Sequence, residues 1–180
     1  MLAPNKQSAA VVLVLSFAAS TGFAEDPVIE AARSHIIAIL QFDGEKLKNS
    51  YAERVELMPG HEFLAARYQL ADEKPAGKSL IIAREKLITA MVQAKKRNGP
   101  IPAEMVKVFL EKSNFTVLPA EEGDFEIEPS KKSKTIDGKL HFKIRMGDRI
   151  IKVGPPNGDF ALFQFRKTNK QWKVVSECLD

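Results

Sequence analysis

Cysteine is nearly absent: Cys178 stands alone among 180 residues, so no intrachain disulfide can brace the fold and stability must come from a packed core. Tryptophan occurs once and tyrosine twice, leaving few large side chains with a polar tip to orient a ligand. Charge of one sign is not in excess either. A formal charge of +4 over this length is too small to imply a nucleic-acid surface. Long apolar runs are missing with one exception, Ala9 to Ala19, broken only by Ser16. No later stretch is long enough to cross a bilayer as a helix.

That one run follows a single lysine, Lys6, and precedes the small residues Gly22 and Ala24, three and one places before Glu25. This is the profile of a signal peptide over residues 1–24, leaving a mature chain of residues 25–180 that is exported to the periplasm or secreted and has no membrane segment after cleavage. No cysteine at the cleavage point suggests a lipid anchor. What remains has the size of one domain. Asn114-Phe115-Thr116 forms a glycosylation sequon, which matters only in a eukaryotic secretory route.

The mature chain changes period part-way along. From Pro27 to Gln41, Ile29, Ala32, Ile36, Ile37 and Leu40 recur at three- and four-residue steps, which predicts an amphipathic helix. A short second helix carries Leu47 and Tyr51 on one side and runs into an extended Val55 to Met58, broken by Pro59-Gly60. A third helix is expected from an N-cap at Ser79 through Ile82, Leu87, Met91 and Val92. Pro102 opens a fourth, with Met105, Val106, Phe109 and Leu110 on its buried side. Thereafter the period is two: Phe115 to Leu118, Asp124 to Glu128, KLHFKIRM with Leu140, Phe142, Ile144 and Met146 on one face, RIIKV, and a closing hairpin of DFALFQFRK and QWKVVSECL across Thr168-Asn169-Lys170. Helices first and an antiparallel meander after them predict α+β. The last two strands are apolar on both faces in part, so they belong in the centre of the sheet.

The two opening helices, the cadence SYAERVELMPG and the closing FQFRKTNKQWKVVSECLD together resemble the nuclear transport factor 2 superfamily, with its SnoaL-like and ketosteroid-isomerase-like members, over Val28 to Leu179. The resemblance implies a cone-shaped, cystatin-like roll: N-terminal helices on a strongly curved, mainly antiparallel sheet enclosing a pocket at the wide end. It also implies a helical insertion around 62–113, where the chain is longer than the family's third-helix region. The superfamily hosts isomerases, dehydratases, cyclases and binding domains, so the fold fixes no activity.

Motif by motif, catalytic signatures fall short. His61-Glu62 resembles half of a zinc-protease helix, but Ala65 stands where the second histidine must face the metal, and Pro59-Gly60 break the helix that would carry both. AGKS at Ala76 to Ser79 resembles the end of a phosphate-binding loop, yet Asp72 occupies the earlier glycine's place. Nothing resembles GxSxG, and Cys178 has no histidine partner in sequence. Lys139, His141, Lys143 and Arg145 form a basic row on one strand face, the solvated side that a half-buried strand requires. EEGDFEIEPSKKSK reads as an exposed strand and loop.

No metal or cofactor is implied. The resemblance points instead to a pocket lined by Tyr51, Met58, His61, Tyr68 and Trp172, with Arg67 placed to hold a carboxylate. The leading expectation is an exported domain that binds a small hydrophobic or acidic molecule, or a partner, without demonstrable catalysis. The alternative is an isomerase, dehydratase or hydrolase with His61 as acid or base. A homodimer through the open sheet face is the expected assembly. Export is checked by intact mass and N-terminal sequencing of the protein recovered from the periplasm or medium: the expected first residue is Glu25, and an intact Met1 start there would refute cleavage.

Overall fold

The computed structural model describes residues 26–58, 79–98, 101–128, 139–155 and 160–179. Helix α1, Pro27–Gln41, starts where Asp26 accepts a hydrogen bond from the Val28 amide and Pro27 occupies the first turn. It stops at Phe42, whose left-handed backbone (φ 51°) lets its amide return to the last carbonyls of the helix. Gly44, expected just past that end, instead opens α2, Gly44–Ser50, capped by Asp43. Tyr51 then begins β1, Tyr51–Leu57, rather than sitting on the second helix.

The expected helix from Ser79 is shorter than the pattern suggested. Leu80–Ala83 is β2, an edge strand paired antiparallel to β1, so Ile82 is a strand residue opposite Val55. Helix α3 runs Arg84–Asn98 and buries Leu87, Met91 and Ala94. Helix α4, Ala103–Lys112, buries Val106 and half-buries Leu110, but leaves Met105 and Phe109 exposed, against expectation. The strands that follow are β3 (Asn114–Leu118), β4 (Gly123–Ile127), β5 (Leu140–Ile144), β6 (Arg149–Gly154), β7 (Ala161–Thr168) and β8 (Gln171–Leu179).

Six strands form one sheet in the order β2-β1-β8-β7-β6-β3. All neighbours in it are antiparallel except β1 and β8, which run parallel. Register irregularities between Tyr51 and Glu56, and between Gln164 and Phe165, interrupt the β1–β8 and β7–β8 ladders, and bulges of this kind bend and twist a sheet. The closing hairpin turns through Asn169 and Lys170, both at positive φ, as a tight two-residue connection demands. This is the α+β class expected from the change of period, with β7 and β8 in the interior of the sheet as their two-sided apolarity required.

Each central strand serves two cores. Phe163, Phe165, Ile151, Val153 and Val174 face the helices, where they meet Val28, Ala32, Ile36, Leu47, Leu87 and Met91. The alternate residues Ile150, Leu162 and Cys178 face the other way, into a second cluster with Met58, Leu140, Phe142 and Ile144. That second cluster exists because β4 and β5 form a hairpin that covers the outer face of the sheet. The acidic part of EEGDFEIEPSKKSK supplies β4 and the basic row of KLHFKIRM supplies β5, while KKSK lies outside the described residues. Lys139 Nζ and His141 Nδ1 lie 3.0 and 3.2 Å from the Glu126 carboxylate across the pair. Leu140, Phe142 and Ile144 point inward as the alternation predicted, whereas Met146 lies beyond the strand and is almost fully exposed.

Asp148 holds the hairpin to the sheet. The turn after β5 uses Gly147 at φ 85°, and buried Asp148 accepts from the Arg145 amide at 3.0 Å. From β7, Arg166 binds both carboxylate oxygens at 2.8 and 2.7 Å, and the Gln164 amide donates at 2.7 Å. Burial raises the Asp148 pKa, but donation from Arg166, the Arg145 amide and Gln164 outweighs it, so the carboxyl is held below its ordinary value of 3.8. A carboxylate depressed in the folded state contributes stability that is complete above its unfolded pKa and is lost as pH falls through the lower folded value. Asp148→Asn is expected to lower the unfolding free energy in urea by about 2–4 kcal/mol at neutral pH, leaving Arg166 without its anion. The gap between wild type and variant should close as pH falls below 3.8. Equal stabilities at pH 7 would refute the clamp.

Candidate functional site

A polar group lies where the pattern of α1 calls for a core residue. His35 shares the buried face of Val28, Ala32 and Ile36 and is fully buried. Around it stand Tyr51, whose ring centroid is 4.6 Å away at 87°, and Phe163, 5.2 Å away at 79°. Such edge-on packing suits aromatic quadrupoles. Glu177 on β8 is only 2% exposed and reaches into the same aromatic space, opposite Phe163 in register. Its Oε2 accepts a hydrogen bond from the Tyr51 hydroxyl at 2.8 Å and lies 3.7 Å from His35 Nε2.

Ser50 ties His35 to the end of α2. As the last residue of that helix, it donates its hydroxyl to the Leu47 carbonyl at 3.2 Å. Its Oγ is also hydrogen-bonded to His35 Nδ1 at 2.8 Å, the direction of that bond following the imidazole tautomer, and Nε2 is the ring atom turned toward Glu177. His35 Nε2 makes no hydrogen bond. Ser50, His35, Glu177 and Tyr51 thus lie in a row that is hydrogen-bonded at its two ends and separated by 3.7 Å between His35 Nε2 and Glu177.

Ser50 is also the link to the surface. It lines a groove of 510 Å³ together with Ala31, Ser34, Lys46, Asn49, Gln171 and Trp172. The groove sits where α1, the end of α2 and the start of β8 meet. Its lining has one cation, no carboxylate and one half-buried indole, with hydroxyl and amide groups around it. Lys167 Nζ lies 5.7 Å from the indole centroid. Lys46 is only loosely committed, to Asp43 at 3.3 Å in an exposed pair.

A second, wider groove of 730 Å³ is rich in cations: Arg54, Arg84, Arg145, Arg166 and Lys173. Three of the five are occupied. Arg166 serves Asp148, while Arg84 and Lys173 donate to the Lys48 and Asn49 carbonyls at the C-terminal end of α2. Burial, and then the nearby Arg84 charge, push the Lys173 amine below its ordinary pKa.

Of the six residues expected to line a pocket, Tyr51 reaches the buried polar row and Trp172 the groove beside it. Met58 is buried in the outer cluster with Leu140 and Phe142, on the face of the sheet away from Tyr51. His61, Arg67 and Tyr68 lie outside the described residues, as do most of AGKS and part of the insertion expected at 62–113. Cys178 is buried in the outer cluster. Among the described residues no group of His, Cys, Asp and Glu side chains is arranged to hold a metal ion. His35, Ser50 and Glu177 were not anticipated. The helical period already placed His35 beside Ala32 and Ile36, but no local pattern announces a partner on the last strand.

No family model and no curated protein matches the sequence. Solved structures do. A DUF4783 family protein from Bacteroides ovatus is 13% identical, with a TM-score of 0.37 over 82% of this chain and 91% of that one. An NTF2-like protein from Cytophaga hutchinsonii is 12% identical, with a TM-score of 0.40 over 87% and 98%. A Nostoc punctiforme protein of unknown function with a cystatin-like fold is 11% identical, with a TM-score of 0.36 over 84% and 86%. The chain is similar to NTF2-like proteins. Its fold class stands on its own strand order and helix placement, and those comparisons assign no site or activity.

The Tyr51 hydroxyl satisfies Glu177 in a core where an unpaired carboxylate is costly. Tyr51→Phe is expected to lower stability by about 1–3 kcal/mol in urea unfolding. Combining it with Glu177→Leu should cost less than the sum of the two single changes, because the group left unsatisfied has been removed. Strict additivity would contradict the coupling.

Proposed function

We propose that the chain is an exported binding domain for a small planar acid, held over Trp172 in the groove floored by Ser50. The observation that carries this reading is the composition of that groove: an indole face, a lysine, a ring of neutral hydrogen-bonding groups and no opposing carboxylate. Its volume falls in the range of small-molecule sites. A flat apolar ring would stack on Trp172 while its carboxylate accepts from Lys46 and from Asn49 or Gln171. Through Ser50, binding would be felt by His35 and Glu177 inside the core.

A second reading, a small-molecule isomerase, dehydratase or hydrolase, is favoured by one feature: the unbonded His35 Nε2 facing Glu177. In that reading His35, rather than His61, is the acid or base.

Trp172 is the only tryptophan, so its fluorescence reports the groove directly. Benzoate is expected to change the emission with a Kd near about 1 mM or tighter, and cyclohexanecarboxylate and benzamide to bind several-fold more weakly. Trp172→Leu should abolish the benzoate-induced rise in melting temperature, measured relative to the free variant, whose own melting temperature falls because the indole packs against the core. Emission unchanged by every planar acid tried would refute the site.

A further inference from the structure

Helix α4 is apolar on two sides. One side anchors it, through buried Val106 and half-buried Leu110. On the other, Met105, Val108 and Phe109 are 62%, 46% and 38% exposed. Spaced at i, i+3 and i+4, they form one stripe, and they account for three of the five large apolar side chains exposed among the described residues. The stripe floors an apolar groove of 480 Å³, bounded by Glu104 at one end, Lys112 at the other, and Ser113 and Pro155 alongside. A solvated helix face does not need three such residues together.

We propose that this stripe is a homodimer interface in which α4 of one copy packs antiparallel on α4 of another. The charges choose the partner and the direction. Glu104 and Lys112 stand four residues either side of Val108, so a twofold axis through Val108 brings each Glu104 onto the partner's Lys112. A parallel pairing would set like charge on like and align the helix dipoles unfavourably. The intervening charged pair, Lys107 and Glu111, is closed on itself at 3.8 Å on the flank and does not compete. The outer sheet face, expected to dimerise, carries the β4–β5 hairpin over Leu162 and Cys178. Ten helical residues span about 15 Å, so the contact is smaller than a standard interface and the dimer is weak, with a Kd of tens of micromolar.

This proposal is independent of the groove at Trp172, and sedimentation velocity on the mature chain tests it. Between about 1 and 300 µM the wild type is expected to pass from monomer to dimer. Phe109→Glu should leave it monomeric throughout. Glu104→Lys alone should weaken the dimer about tenfold by creating two like-charge contacts, and adding Lys112→Glu should restore it. A Val108→Cys variant should form a reducible covalent dimer under mild oxidation, because the native Cys178 is buried. Exposed Lys170→Cys should not. A wild type that stays monomeric at the highest concentration would overturn the proposal. So would a dimer indifferent to Phe109→Glu, or a charge swap no stronger than its single parent, which would assign the stripe to a different occupant.

Discussion

A carboxylate inside an aromatic core has to be hydrogen-bonded, and Glu177 places that demand at the centre of this fold. It is met by Tyr51, 126 positions earlier in the chain, at the start of a strand that lies parallel to β8. His35 completes the surroundings from α1, and Ser50 fixes the ring from the end of α2. The Glu177 hydrogen bond joins the first strand to the last, and His35 packs against that carboxylate from α1. Ser50 is held by His35 Nδ1 and the Leu47 carbonyl, and with it the floor of the groove beneath Trp172.

The sheet solves a second problem, how central strands can be apolar on both faces without exposing either. Phe163 and Phe165 face the helices, while Leu162 faces a hairpin that the chain inserts between β3 and β6. Asp148 joins that hairpin to β7 through Arg166 and Gln164. The helix side carries the His35–Glu177 group, and the hairpin side is a mainly apolar layer fastened by Asp148, Arg166 and buried Gln164. Cys178 belongs to that packed layer, which accounts for it as a small buried apolar residue.

Much of this was legible in the residues. The change from a helical to an alternating period gave α+β, and the alternation in KLHFKIRM put Leu140, Phe142 and Ile144 on the inward face, though Met146, expected with them, lies past the strand end and is exposed. Leu80–Ala83 misled because four apolar residues before a helix fit either period, and only pairing with β1 makes them a strand. Met105 and Phe109 misled for a related reason: an apolar stripe predicts burial but not what buries it, and α4 has two stripes of which one is covered, through Val106 and Leu110. Half of the candidate site was visible in Tyr51 and Trp172. The other half, His35 with Glu177, is brought together by tertiary packing from opposite ends of the chain, and a buried histidine on an apolar face looks in sequence like any core position.

Ser50 holds His35 through Nδ1 and so sets the buried ring behind the groove. Nitrogen-15 spectroscopy of the imidazole ring measures this directly, in the free protein and during a benzoate titration. The His35 Nδ1 resonance is expected to move as the groove fills. A ring unmoved while Trp172 fluorescence reports binding would contradict the coupling of groove and core.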